Sequence, residues 1–436
     1  MKQSLGFLLF ILVLCRSLPS LGQTTSLTLD ECIEYALENQ PALEQSLIDQ
    51  QIGRHEINAS LAEWLPQISA NYALNHNIER QSMVIGDQTI RMGQNYNSNI
   101  ELRADQTLYS NEAFLASRAS RNTRLRLEQD VASTKINTVV DVSKAFYDIL
   151  LTREQLNILD ENIVRQQKQY NDAFAQYENG IVDKTDYQRA SITLANTRSS
   201  RNRTQESLKA KFAYLKQLIG FPLEEEFDLN YNSQQVLERE IQLDTTQDLQ
   251  IESRIEYRQL TTDRELLKLN TNYYQMGLIP RVSAYVNYNP QYFNNNFGDL
   301  YGTAYPTSSV GLTASIPIFT GNKRIQQIKI AKLQESRLDV TIEDTKRAIN
   351  TEYQTALASY KSDYLDMTTL RSNADLAQQV YNTIKLQYDE GIKSYLEVIV
   401  AETELQTAQL NYLNAVFQLL SSKLDFQKAI GTIEIN

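Results

Sequence analysis

Through the second half of this chain apolar residues step by three and four without a break. Ile349, Tyr353, Ala356, Tyr360, Met367, Leu370, Ala374, Ala377, Tyr381, Ile384 and Tyr388 keep that rhythm, with polar Asp363 in the one vacant slot. Val142, Ala145, Ile149, Leu156, Leu159, Ile163, Tyr170, Ala173 and Tyr177 repeat the same register earlier in the chain. Steps of this kind put one apolar stripe on a helix, as in a heptad seam. Neither Gly nor Pro occurs from Glu112 to Asn179 or from Asn322 to Glu390, so nothing there stops a helix. Each run predicts a rod of about 100 Å at the helical rise. A globule of this chain length has a radius of gyration of only about 22 Å, so such rods do not fit one ball-shaped domain. Gly180 and Gly391 each end a rod and are followed by another long apolar-periodic segment, which predicts two antiparallel helical hairpins.

Elsewhere the period changes from three and four to two. Ile68, Ala70, Tyr72 and Leu74 alternate with Gln67, Ser69, Asn71 and Asn75, and Ile100, Leu102 and Ala104 alternate with Asn99, Glu101, Arg103 and Asp105. Val282, Ala284, Val286 and Tyr288, then Val310, Leu312, Ala314, Ile316 and Ile318, show the same alternation. Four strands are predicted, over about 65–77, 97–109, 280–290 and 307–319, with long polar loops at 79–96 and 289–306. A strand of about ten residues tilted by about 45° spans roughly 23 Å, close to the apolar band of an outer-membrane barrel. Four strands do not close a barrel. Two chains would supply eight, filled by side chains, whereas three would supply twelve and leave a lumen.

The two halves are copies. Tyr177, Gly180, Ile181, Ile219 and Gly220 return as Tyr388, Gly391, Ile392, Ile430 and Gly431, each 211 positions on. A fixed offset of that length marks an internal duplication of the unit helix, strand, loop, strand, long helix, Gly turn, helix. The first repeat is read as 23–220, with its hairpin tip near 180–186. The second is read as 251–436, with its tip near 391–397, and 221–250, carrying Glu224, Glu225 and Glu226, is read as a connecting segment.

Composition narrows the classes. At 42% hydrophobic and 22% charged the chain matches neither a disordered protein nor a helical membrane protein. Its one strongly apolar run, Leu5 to Leu14, follows Lys2 and precedes Ser20 and Gly22. That pattern predicts a secretory signal over residues 1–22. Its removal takes away Lys2 and Arg16 and no acid, moving the net charge from -11 to -13. An acidic surface argues against nucleic acid as a partner. Cys32 is the one cysteine outside that segment; it lies on an apolar helix face and is read as a buried small hydrophobe.

The chain resembles the TolC-like outer-membrane efflux proteins over essentially its whole length after residue 22. The resemblance is carried by Asn39-Gln40-Pro41-Ala42 in the opening helix and by Trp64-Leu65-Pro66 before the first strand. Ile318-Phe319-Thr320-Gly321 after the last strand and the paired turns Tyr177 to Asp186 and Tyr388 to Glu397 add to it. Ser110 and Asn111 depart from the two small residues frequent in the family at that boundary. The resemblance implies an α+β membrane protein of the Gram-negative outer membrane, extending into the periplasm. It further implies a homotrimer whose four strands per chain form a shared 12-stranded β-barrel, continued by a periplasmic α-barrel of helical hairpins. An adaptor protein is expected to dock at the tips (Gly180, Ile181, Gly391, Ile392) and link the tube to an inner-membrane pump. The cargo is then small molecules in an efflux pump, or polypeptide in a type I secretion system. The rival of a different class is a periplasmic coiled-coil adaptor or rod without a pore.

No catalytic constellation, cofactor motif or metal-ligand spacing is visible. His55 and His76 have no Cys or acidic companions at ligand spacing, and there is no Gly-rich phosphate loop. The chain is read as a non-enzyme. Candidate functional residues lie at the tips, where convergence on an axis would let the Tyr388 hydroxyl and the Lys393 ammonium bond to Thr185 or Asp186 and hold an entrance closed. Three copies of Glu397 would form an acidic ring in which like charges raise one another's pKa. Solvated turn residues are the competing reading. Trp64, Tyr109 and Phe319 mark the helix-proximal strand ends, as a lipid-interface girdle or as packing at the helix-to-strand junction.

Overall fold

The structure is a computed structural model that describes residues 25–230 and 248–434. The predicted signal segment and residues 231–247 of the connecting segment lie outside the described residues. The elements, in chain order, are β1 (Thr25–Leu27), α1 (Leu29–Asn39), α2 (Pro41–Leu61), β2 (Gln67–His76), β3 (Ser82–Ile85), β4 (Gln88–Arg91) and β5 (Tyr96–Tyr109). They continue with α3 (Asn111–Glu178), α4 (Lys184–Ile219), β6 (Phe227–Leu229), α5 (Ile255–Gln275), β7 (Arg281–Asn294), β8 (Ala304–Ser315), α6 (Lys323–Asp389) and α7 (Tyr395–Ile430). Two compact units result, and they do not follow the repeats. One holds residues up to 45, 132–254 and 348–436; the other holds 46–131 and 255–347. Each unit therefore takes a piece of each repeat.

The first unit is helical. Thr28 caps α1: its hydroxyl accepts from the Glu31 N–H, and the Glu31 carboxylate accepts from the Thr28 N–H at 2.7 Å. Pro41 forces Gln40 into an extended backbone, so the opening helical stretch is two helices. Both tips end in the same way. Gly180 and Gly391 have φ of +71° and +73°, and the next residues, Ile181 and Ile392, donate backwards to Gln176 and Gln387 at 2.9 and 2.8 Å. This is a Schellman closure, and it needs a residue at ease in the left-handed region. Gly220 and Gly431 end α4 and α7 with the same pattern, through Phe221 to Lys216 and Thr432 to Gln427.

The apolar stripes meet in a main core, with a smaller cluster of Tyr381, Val398, Ala401 and Leu405 nearer the second tip. Cys32, Val142, Phe146, Ile149, Leu150, Leu215, Ile219, Tyr360, Met367, Val416, Leu419 and Phe426 belong to the main core. Each large side chain fully buried there contributes about 1.5–3 kcal/mol. α3 packs against both α4 and α7 along one face: Asp148 meets Lys211 at 2.8 Å and, one turn earlier, Lys144 meets Asp425 at 2.6 Å. α6 closes against α7 through Tyr360 and Phe426, ring centroids 5.7 Å apart. The connecting segment begins with a feature the periodicity did not predict: β6 pairs in parallel with β1, Leu229 opposite Leu27, and Phe227 enters the helical core.

The second unit is built on a four-stranded antiparallel sheet of order β2-β5-β7-β8. β2 and β8 are its edges, each paired on one side only. The third strand runs four residues past the expected 290, and the fourth occupies 304–315 in place of 307–319. Pro290 lies opposite Pro306, a pair that suits a non-hydrogen-bonded position where no N–H is needed, so pairing continues into the Asn-rich segment. At the other end Ser315 is the last paired residue, because its partner Arg281 follows Pro280, and Pro317 has no donor to extend the ladder. The 79–96 loop holds the β3–β4 hairpin, and the 289–306 loop a short helical turn at Phe297–Gly302.

Candidate functional site

In the sheet, register separates a mainly apolar face from a mainly polar one. Ile68, Ala104, Val286 and Val310 stand side by side in one row across all four strands; the next row is Ser69, Arg103, Asn287 and Ser309. The apolar face is bare. Ile68 is 81% exposed and Val310 78%, with Tyr72, Leu102, Val286 and Leu312 also open. The polar face carries charges that are already matched: Arg103 holds Asp105 by two bonds of 2.7 and 2.8 Å and lies over the Tyr285 ring, while Asn287 donates to Glu101. A contiguous apolar face of this kind, opposite a polar one, is what a strand set presents when one side meets lipid and the other water.

Of the three aromatics expected at the helix-proximal strand ends, Trp64 and Tyr109 lie there and Phe319 lies beyond. Tyr109 reaches the apolar face by a bulge: Thr107 pairs with Ser283 and Tyr109 with Val282, leaving Leu108 as the extra residue. Trp64 is half-buried and donates its indole N–H to the Ala113 carbonyl at 3.2 Å, which fastens the strand entry to the start of α3. Phe319, expected at a strand end, lies four residues beyond β8 and is 86% exposed. The distal end of the sheet holds aromatics that sequence reasoning missed. His76 stacks on Tyr96 at 4.4 Å, Phe297 meets Tyr96, and Tyr301 meets Tyr292 and bonds Tyr72 at 2.8 Å. Tyrosines at even positions were legible; the turn that folds back over them, with Leu300 buried beneath it, was not.

At the tips of the helical unit the two turns share a backbone and differ in side chains. Asp183 caps α4, accepting from the Thr185 N–H at 2.8 Å. In the second turn Glu397 reaches back to the Ser394 N–H at 3.0 Å and also takes the Lys393 ammonium at 2.6 Å. Within one protomer, then, Lys393 bonds to neither Thr185 nor Asp186. A partner one helical turn away wins over a group on another hairpin. The Tyr388 hydroxyl donates to Gln176 at 3.4 Å. Asp186 is near enough to oppose ionisation of Tyr388, whose pKa is raised first by its own burial. Within one protomer the carboxyl of Glu397 is held below the ordinary range, first by the Lys393 bond and then by Ser394. Gly180 and Gly391 leave open space around them, and Ile181 and Ile392 are each 72% exposed. Tyr395, nearly fully buried behind the turn, was missed; the heptad rhythm resumes at it, which is the signal that marks it. Burial pushes the Cys32 thiol up to about 12, so it is an inert core residue.

A sheet with one lipid-type face and two unpaired edges, joined in one chain to hairpins whose helices run 36 to 68 residues, defines an outer-membrane channel subunit of the α+β kind. The model of the family described as "Outer membrane efflux protein" matches residues 32–221 and 258–432, and the chain belongs to that family. The chain is 21% identical to the proteases secretion protein PrtF of Dickeya chrysanthemi, over 94% of its own length and 90% of that protein. It is 20% identical to the outer membrane protein TolC of Vibrio cholerae, over 93% and 91%. Among solved structures, CusC superposes with a TM-score of 0.78 at 19% identity, covering 95% of this chain and 96% of that one. This is an outer-membrane efflux duct of a Gram-negative bacterium, with the TolC-like fold.

Proposed function

We propose that the chain assembles as a homotrimer whose twelve strands close one barrel, and that it serves as the exit duct of a tripartite efflux pump. The carrying observation is the sheet: β2 and β8 each leave an unpaired edge beside an exposed apolar face, and neither feature suits a poreless periplasmic rod. In this reading the hairpins continue the tube through the periplasm, energy comes from an inner-membrane pump, and the chain itself catalyses nothing. A periplasmic adaptor docks at the exposed tips, Gly180 with Ile181 and Gly391 with Ile392. The gate is formed there by Thr185, Asp186, Tyr388, Lys393 and Glu397 of neighbouring protomers, Lys393 exchanging its local Glu397 for a neighbour's Asp186 or Thr185 on closure.

Cysteines introduced on the two edges at Ser69→Cys and Ser309→Cys test the assembly. Covalent trimers in detergent-extracted outer membranes are the expected result, and uncrosslinked monomer would remove the shared barrel. For the gate, Asp186→Ala with Lys393→Ala should raise the open fraction in planar bilayers. Glu397→Gln should lose cation preference there, and an unchanged reversal potential would remove the acidic ring. A second reading, a duct for secreted polypeptide, is favoured by PrtF, a protein named for protease secretion that aligns over nearly the whole chain. Capture of the partner adaptor from membranes and identification of the pump bound to it separates the two cargoes.

A further inference from the structure

The interface between the two hairpins is apolar along most of its length, and near the tips it holds a buried acid that the gate does not use. Glu402, on α7, is 2% exposed. It sits beside the small core of Tyr381, Val398, Ala401 and Leu405 and faces Asn162, Arg165, Gln166 and Gln169 of α3. Among the described residues the cation at hand, Arg165, is not its own. Arg165 Nε lies 3.8 Å from Glu402 Oε1, whereas the terminal nitrogens of Arg165 go to Asn162 and, at 3.7 Å, to Glu161. Neither oxygen of Glu402 has a well-formed hydrogen bond, although the Gln169 and Gln166 amides lie close enough to favour its charged form, and Asn162 Nδ2 and Gln166 Oε1 are also left unpartnered. One guanidinium is thus contested by an exposed acid, Glu161, and a buried one, Glu402. A buried carboxylate in that position works against close packing while it is charged and stops doing so when it takes a proton.

We propose that Glu402 is a proton-operated wedge between the hairpins: protonated, it lets α7 pack tightly on α3, and ionised, it loosens α7 and frees the second hairpin to move. Its consequence for transport rests on the reading of the tips as a gate; the wedge itself does not. The direction follows from the side of the equilibrium that holds the proton. Burial raises the pKa of Glu402, an effect larger than the opposing pull of Arg165 and the Gln169 and Gln166 amides. The packed seam therefore binds the proton more tightly than the loosened one, so acid tightens it and the tightening fades as pH rises above the ordinary carboxyl value. Of the other groups facing the site, Tyr381 on α6 and Tyr395 on α7 are kept protonated by burial, Arg165 stays charged, and Glu161 is exposed.

Amide exchange of residues 166–170 and 398–405 in the assembled protein, corrected for the intrinsic effect of pH, tests this. Protection should fall several-fold between pH 5 and pH 7 in the native chain, as the packed seam gives up the proton it favours. In Glu402→Gln it should stay at the acid level at both values; an equal pH effect in the two proteins overturns the wedge. If Glu402→Gln does not assemble, Glu161→Gln serves. With its rival gone Arg165 turns to Glu402, and the loss of protection moves to lower pH; an unmoved transition also overturns the wedge. If exchange follows pH as expected and bilayer conductance does not, the wedge stands and the gate reading of the tips falls.

Discussion

The glycines that end the four periplasm-type helices share one backbone and live in opposite surroundings. At the tips, Gly180 and Gly391 have nothing within reach of an added methyl group. At the closing ends, a Cβ on Gly220 would overlap the Asn39 carbonyl, and one on Gly431 would stand 2.8 Å from Ser253 Oγ. The duplication copied a turn, and only at the closing ends was that turn then packed against another part of the chain. Glycine is kept at the tips for its torsion angle alone and at the closing ends for torsion and space together.

Substitution separates the two pairs, and the effects descend in order. Gly220→Ala combines a left-handed residue with a clash against a backbone atom that cannot rotate away, a loss of about 3–4 kcal/mol. The urea midpoint of the extracted protein should drop sharply, and an unchanged midpoint would mean that α1 and α4 are not packed as described. Gly431→Ala meets the end of a side chain, which gives way by breaking the Ser253 bonds to Gln250 and Ile430, so a loss of about 2 kcal/mol is expected. Adding Ser253→Ala should recover part of it. Gly180→Ala and Gly391→Ala carry the torsional penalty alone, about 1–2 kcal/mol, and confined to the turn. They should speed proteolytic nicking at the tips while hardly moving the global midpoint, and asparagine should be milder than alanine.

The smallest effect concerns the caps, in which the two tips differ. Glu397 has its pKa lowered in the fold from an ordinary 4.5, so its contribution is present above that value and is lost as pH falls through the depressed one. Exchange at Ser394 to Glu397 should quicken in acid, whereas the Glu402 segment one to two turns on should slow. Both responses should vanish separately, in Glu397→Gln and in Glu402→Gln.

Periodicity was enough to locate the long helices within a residue or so at each end, because the absence of Gly and Pro and the paired glycine turns are local facts. Strand alternation identified all four strands and the sidedness of each. It missed where β7 stops and β8 starts, since two prolines that cancel across a ladder are visible only once the register is known. The β1–β6 pair was illegible for a similar reason: three-residue strands 200 positions apart carry no pattern of their own. At the site, Ser394 followed by Glu397 was a readable cap, and reading it would have foretold where Lys393 and Glu397 go. Glu402 was not readable. A glutamate on a long amphipathic helix is ordinary until the neighbouring hairpin is seen to cover it.

The bare margins of β2 and β8 also constrain how the molecule is made. A single chain pushed into hydrocarbon would carry two rows of amide and carbonyl groups with nothing to bind, each row far costlier there than in water. On the trimeric reading proposed above, insertion and ring closure are one event, and newly exported chains wait at the membrane surface until three are at hand. Production of the protein should therefore rise more steeply than linearly with the supply of its chains.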